Sequence, residues 1–206
     1  VNLRKILNKI ISAEELYNKR VQEYGYSAEA VGWRSFNQQK LRFEKLVDSL
    51  ELKECSILDV GCGFGDLAKY LIDIKVPFSE FLGIDVSEKM IEMARLNCVG
   101  RNIFFRKANF FEDSFETCDW IFMSGVLNLF THQDQYELYS NFAAKALSVA
   151  KKGISLNLLG DKVDFKTDVN FYYNLEKVQA ISCKYFRNVR TIQDYGLYEF
   201  TIQLYN

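Results

Sequence analysis

The run Ile57-Leu58-Asp59-Val60-Gly61-Cys62-Gly63-Phe64-Gly65 constrains this chain more than any other stretch. A short apolar segment carries an acid near its end, three glycines follow at alternate positions, and Asp66-Leu67-Ala68-Lys69-Tyr70-Leu71 resumes at helical spacing. This pattern reads as strand, tight loop and helix. Glycines at alternate positions let the backbone turn sharply and let a ligand approach with no Cβ between. Twenty residues after Gly65, a second apolar run, Phe81-Leu82-Gly83-Ile84, ends in Asp85, just ahead of a Ser87 helix cap. A carboxylate at the tip of the adjacent parallel strand is placed to accept hydrogen bonds from ribose hydroxyls. Together the two features predict a site for an adenosine-containing molecule.

Glycine spacing narrows the ligand. A dinucleotide site uses G-x-G-x-x-G, with a helix N-terminus facing a pyrophosphate. Here the order is Asp59-x-Gly61-x-Gly63-x-Gly65. An acid two residues before the first glycine would oppose a pyrophosphate, yet it suits a ligand that carries an ammonium and a sulfonium. The motif resembles that of the class I S-adenosylmethionine-dependent methyltransferases, commonly E/D-x-G-x-G-x-G. The chain also looks like a group of small bacterial methyltransferases, through Tyr24-Gly25, Gly32-Trp33, Gln39-x-x-Arg42-Phe43, Ser124-Gly125-Val126-Leu127-Asn128 and Tyr198-Glu199-Phe200-Thr201. The resemblance covers residues 55–160 clearly.

That resemblance implies an α/β, Rossmann-like methyltransferase fold: a seven-stranded, mostly parallel sheet of order 3-2-1-4-5-7-6, with a C-terminal antiparallel hairpin and an N-terminal helical lid. It implies S-adenosyl-L-methionine as cofactor and in-line methyl transfer to a small-molecule acceptor. Asp59 would sit beneath the methionine ammonium, with Gly61, Cys62 and Gly63 supplying close backbone. Asp85 would hold the ribose, Val86 or Met90 would cover one adenine face, and Asn109-Phe110 would stand where the family usually has Asp and an apolar residue. Ser124 and Gly125 would line the methionine part, and Arg42 would clamp its carboxylate or be an exposed helix arginine. For the acceptor side, Asn128, His132 and Tyr173 are candidates, as are Asp164, Asp168 and Tyr172 on the loop after the fifth strand. Trp33, Tyr24 and Tyr26 would form a water-excluding cover or pack in the core. A non-catalytic cofactor-binding partner module and a nicotinamide-dependent oxidoreductase are the alternative readings.

Composition closes other routes. The chain has 206 residues, 49% of them apolar, and a single proline, Pro77, which argues against disorder. Its net charge is −1, from 26 basic and 27 acidic residues without a long basic block, so no electrostatic signal for nucleic acid is present. Cys55, Cys62, Cys98, Cys118 and Cys183 form no C-x-x-C pair and suit reduced thiols in a cytoplasm; no metal site is expected. Cys62 is read as a small side chain that fits the loop. No segment approaches the roughly 18 uninterrupted apolar residues of a membrane span. The amino end lacks signal-peptide order, and its start at Val1 leaves the native beginning open. A monomer or homodimer is expected.

Periodicity predicts helices over 1–22 and 36–50, then strand 56–60, helix 66–73, strand 80–85, helix 88–97 and strand 103–107. Strand 120–124 precedes a helix over 133–150 capped by Thr131, and strand 154–158 precedes a helix over 174–185. Strand-like runs at 189–195 and 198–205, joined across Gly196-Leu197, must pair antiparallel because the link is so short. One domain of 1–206 is expected, with 1–50 as helical lid and 55–206 as core. With so few insertions, the acceptor pocket falls to the N-terminal segment and the loops after the fourth and fifth strands. The 15% aromatic content makes a partly apolar acceptor the natural expectation.

Overall fold

The computed structural model describes residues 3–27, 30–32, 35–129 and 135–206, with residues 3–12 described as helix backbone alone. The strands are β1 (Ser56–Val60), β2 (Glu80–Asp85), β3 (Ile103–Lys107), β4 (Cys118–Ser124), β5 (Ala150–Leu159), β6 (Asn188–Ile192) and β7 (Glu199–Tyr205). They form one sheet of order β3-β2-β1-β4-β5-β7-β6, parallel except for β7, which runs antiparallel to both β5 and β6. The expected Rossmann-like order and closing hairpin are therefore present. Helices α1 (Leu3–Tyr24), α2 (Phe36–Leu46), α3 (Asp66–Asp73), α4 (Glu88–Asn97), α5 (Gln135–Val149) and α6 (Leu175–Ser182) surround it. Among the described residues, no helix is long and apolar enough to cross a membrane.

Strand side chains alternate between faces, and both faces are apolar because helices cover both. Leu58, Ile121, Met123, Ile154 and Leu156 pack under α5 and α6 through Phe142, Ala146 and Val178. Ile57, Phe81, Trp120 and Phe122 pack against Leu46 of α2, Leu67 and Leu71 of α3 and Ile91 of α4. Tyr17 and Val21 of α1 rest with Ala30 on Phe64 and Met90, so the N-terminal helix lies beside the glycine loop.

Several boundaries differ from those read by periodicity. The second helix stops at Leu46, and Ser49 takes a positive φ of 60° in the turn that follows. Strand β5 begins at Ala150, directly after α5, because Ala150 pairs with Cys118 across an irregularity in the β4–β5 register. The sixth helix ends at Ser182. Thr131 and the expected helix start lie outside the described residues.

Helix α2 is fastened to the sheet by polar contacts. Ser155 and Gln203 donate to the Leu46 carbonyl at 2.7 and 3.3 Å, and Arg190 bonds Asp48 through both the carbonyl and the carboxylate. Deeper, Arg42 Nε donates to the Glu199 carboxylate at 2.9 Å, with 6% of Arg42 and 5% of Glu199 exposed. Removing one member of such a pair strands the other in the interior. Arg42→Ala is therefore expected to lose about 3–5 kcal/mol in urea unfolding. Arg42→Met combined with Glu199→Leu should recover most of that loss; a double variant as unstable as the single would show that the charges contribute by more than mutual compensation.

Candidate functional site

The carboxyl ends of β1, β2 and β4 open on a cavity of about 880 Å³. It lies where the strand order reverses about β1, the place where open α/β sheets hold ligands. Its floor is the glycine loop. Gly61, Gly63 and Gly65 all adopt positive φ, 74°, 54° and 76°, and Gly125 beyond β4 does so at 78°. At Gly61 an added Cβ would overlap Val126 Cγ2, so the loop after β4 sits directly on the loop after β1. Glycine is required here twice over, by dihedral and by space.

The loop is sewn to β2. The Ile84 carbonyl accepts from Gly61 N and Cys62 N at 2.8 and 2.9 Å. Asp85 completes the seam: one carboxylate oxygen accepts from Gly63 N at 3.1 Å, the other from Ser87 N at 2.9 Å. Ser87 caps α4 by accepting from Met90 N, and its hydroxyl donates to Asn18 of α1 at 2.7 Å. Burial pushes the Asp85 carboxyl above its ordinary value against the pull of these backbone donors.

Asp59 differs. It is 3% exposed, lines the cavity, and its carboxyl has no hydrogen-bond partner among the described residues. Burial, then the charges of Asp85 and Asp66, push its pKa up to about 8. An acid in such surroundings lacks a cation. Asp66, at the first turn of α3, is by contrast fully engaged: Tyr26 hydroxyl, Gln39 Nε2 and Asn97 Nδ2 donate to it at 2.8, 3.0 and 3.3 Å. These bonds tie the N-terminal segment and α2 to the glycine loop, a connection the sequence does not announce. Burial and the Asp66 bond push Tyr26 up to about 12.

Val86, Met90, Asn109, Phe110, Ser124 and Gly125 all line the cavity, as do Cys62 and Arg42. The Cys62 thiol is raised by burial and by Asp85 and Asp59, which keeps it protonated and fits a space-filling role. Asn109 Oδ1 already accepts from Phe111 N at 3.1 Å and its amide donates to Glu112, so one oxygen lone pair remains for a ligand. Ser124 donates to Asn157 Oδ1 at 2.9 Å. Arg42 is neither an exposed helix arginine nor open on its Nε edge, which Glu199 holds. Asn128 lines the cavity and accepts from Leu159 N at 2.9 Å.

Tyr173 is a correction. Fully buried, its hydroxyl donates to the Leu127 carbonyl at 2.9 Å, and burial raises it far from any useful range. It packs with Tyr136 and Phe171 rather than facing ligand. On the same loop Asp168 and Tyr172 reach the cavity, while Asp164 does not. His132 and Trp33 lie outside the described residues. Of the other two aromatics expected as a cover, Tyr26 stacks edge-on against Phe64 at 5.2 Å, and Tyr24 is half exposed. Val31, Tyr17 and Arg20 of the N-terminal segment also border the cavity, which no local motif signalled.

Residues 57–149 match the family described as methyltransferase domain. The Mycobacterium tuberculosis (strain ATCC 25618 / H37Rv) protein named "Putative methyltransferase Rv1506c" is 33% identical over 154 residues, covering 71% of this chain and 90% of that protein. Among solved structures, the magnesium protoporphyrin IX methyltransferase of Synechocystis PCC 6803, with bound SAH, superposes with a TM-score of 0.68 at 17% identity, covering 95% of this chain and 98% of that one. The DhpI-SAH complex gives 0.71 at 14% identity, with 94% and 96% covered. At these identities the structural likeness is one of fold.

Two outcomes are expected. Gly61→Ala should destabilise by about 1–2 kcal/mol for its left-handed backbone alone, plus the clash with Val126; adding Val126→Ala should restore only the steric part in urea unfolding. The second concerns Asp59. A carboxyl with a folded pKa near 8 and an unfolded one near 4 holds its proton more tightly in the folded chain. Its contribution is complete below pH 4 and is lost as pH rises toward 8. The stability of the ligand-free protein relative to Asp59→Asn should therefore fall between pH 5 and pH 8. A constant difference would mean that Asp59 is ionised throughout.

Proposed function

The chain belongs to the methyltransferase family, and on that premise we propose that it transfers a methyl group from S-adenosylmethionine to a small-molecule acceptor. The observation that carries this reading is Asp59, a buried carboxyl facing the cavity without a cation. The residues present fit the cofactor. Asp59 would meet the methionine ammonium. Asp85 uses one lone pair on each oxygen for Gly63 N and Ser87 N, which leaves acceptor capacity for two ribose hydroxyls. Val86, Met90 and Phe110 would sandwich the adenine, with Asn109 accepting from its amino group. Ser124 and Gly125 would flank the methionine chain, with Arg42, already held by Glu199, near its carboxylate end.

The bound cofactor supplies a methyl group on a sulfonium, an excellent leaving group. The protein then has mainly to align acceptor, methyl carbon and sulfur and to keep water away, which is catalysis by orientation. The glycine loop and Asp85 fix one partner. The wall of Asn128, Tyr172 and the loop around Asp168 fixes the other. The N-terminal segment, residues 17–42, would form the cover, since Tyr26 and Gln39 already bind Asp66 beside the glycines. A cover of this kind excludes water and completes the site. A nicotinamide reading loses its ground with the family assignment, and no feature of the site favours a non-catalytic module.

Calorimetry with S-adenosylmethionine and S-adenosylhomocysteine tests the reading. Both should bind, and Asp85→Ala should weaken binding roughly tenfold to a hundredfold, from about 1.5–3 kcal/mol for hydrogen bonds to a charged group. At pH 7 the heat should depend on buffer, because a ligand ammonium ionises Asp59 and expels its proton; Asp59→Asn should abolish that release. A folded protein giving no heat at millimolar cofactor would sink the proposal.

A further inference from the structure

Past the Asp59–Asp85 end, the cavity continues to a second wall made from three parts of the chain: residues 127–129, the loop after β5, and the turn between β6 and β7. At about 880 Å³ the whole lies toward the upper end of small-ligand pockets, which span about 300–1,000 Å³, leaving room for a second ligand beside the first. Leu129, Leu159, Val163 and Leu197 make part of this far wall apolar, beside Thr167, Asp168, Asn170 and Tyr172. On it Phe165 and Tyr198, from different loops, meet edge to face with ring centroids 6.0 Å apart at 77°. Each nevertheless leaves half its surface open, 50% and 51%. Scattered exposed apolar residues need no explanation, but two rings set against each other across separate loops, at the mouth of an apolar cavity, form a built surface. Rings in this geometry present an edge and a face to a third ring.

Of the polar groups on this wall, Asn128 is the buried one. It is 4% exposed and borders the cavity, and its oxygen is held by Leu159 N. With that oxygen fixed, the amide cannot turn over. Its Nδ2 has no partner among the described residues and is left as a hydrogen-bond donor.

We propose that this end of the cavity takes a flat, ring-bearing phenol, its ring against Phe165 and Tyr198 and its oxygen accepting from Asn128 Nδ2. Its role as methyl acceptor rests on the function proposed above. A donor on that oxygen favours the phenolate and points a lone pair at the methyl carbon. The phenol first gives its proton to bulk solvent; the phenolate lone pair then forms the O–C bond while the S–C bond breaks with its pair going to sulfur, which becomes a neutral thioether.

The probe is 2-naphthol, titrated by its fluorescence into protein with and without saturating S-adenosylhomocysteine, with naphthalene as the hydrocarbon control. Binding of 2-naphthol is expected. Phe165→Ala and Tyr198→Ala should each weaken it about threefold to tenfold, the scale of one aromatic pair, with S-adenosylhomocysteine affinity unchanged. Phe165→Leu serves if the alanine variant does not fold. Asn128→Asp keeps an oxygen for Leu159 N and loses the donor; it should weaken 2-naphthol about threefold to tenfold, one hydrogen bond's worth, and leave naphthalene unaffected. Variants that bind 2-naphthol like the parent, or an Asn128→Asp that weakens both probes alike, would overturn the inference. Absence of S-adenosylhomocysteine binding would instead remove the methyl-transfer reading and the acceptor role with it, whatever 2-naphthol does.

Discussion

Everything at the open end of this sheet hangs on the seam between the first loop and the second strand. Two consecutive amides, Gly61 and Cys62, donate to one carbonyl of Ile84, and the next residue of β2, Asp85, receives Gly63 on one oxygen and Ser87 on the other. Six polar groups that would otherwise be unpaired in a crowded place thus satisfy one another. The arrangement also sets two helices. Gly65, in the left-handed region, starts α3, and Ser87, whose backbone N–H donates to Asp85, caps α4. Backbone donors at this point favour the negative form of Asp85 against the burial that opposes it.

The acids around this seam divide by partner. Asp66 and Glu199 are consumed in structure: one gathers Tyr26, Gln39 and Asn97, the other pairs with Arg42. Asp85 shares itself between backbone and cavity. Asp59 is given nothing. A folded chain tolerates an unsatisfied buried carboxyl only where the rest of the structure over-determines it, and such places cluster at ligand sites. In this fold the overdetermination is visible: Asp59 pairs with Gly83 in β2 and Phe122 in β4 and so lies in the middle of the sheet.

What was legible in the sequence was local. Strands β1, β2 and β3 have the boundaries read from their apolar runs; β1 and β2 are largely buried, and β3, at the sheet edge, buries Phe105 alone. The cavity floor was legible because Asp59, the glycines, Asp85, Val86 and Met90 are consecutive or nearly so. Misreadings came where a partner is far along the chain. Arg42 looks like a free guanidinium until Glu199, 157 residues on, folds against it. Tyr173 sits among polar residues, and only the tertiary fold sends its hydroxyl to Leu127. The apolar pattern starts β5 four residues late because Lys151 and Lys152 are exposed and interrupt it. The contact of Val126 with Gly61 joins two loops that no periodicity links.

The antiparallel hairpin carries a consequence for how the molecule is made. Strand β7 is interior to the sheet, hydrogen-bonded along one side to β5 from Gly153 to Leu159 and along the other to β6. Until residues 199–205 have left the ribosome, β5 is a bare edge and β6 has no sheet to join. Apolar Ile154, Leu156 and Leu158 lie on that edge. An unpaired apolar edge is a template for association with other chains. Synthesis therefore passes through an interval with an open flank, closed when β7 arrives, and that strand also brings Glu199 to Arg42, with Tyr198 just ahead of it at the cavity mouth. The site and the sheet are sealed in one event.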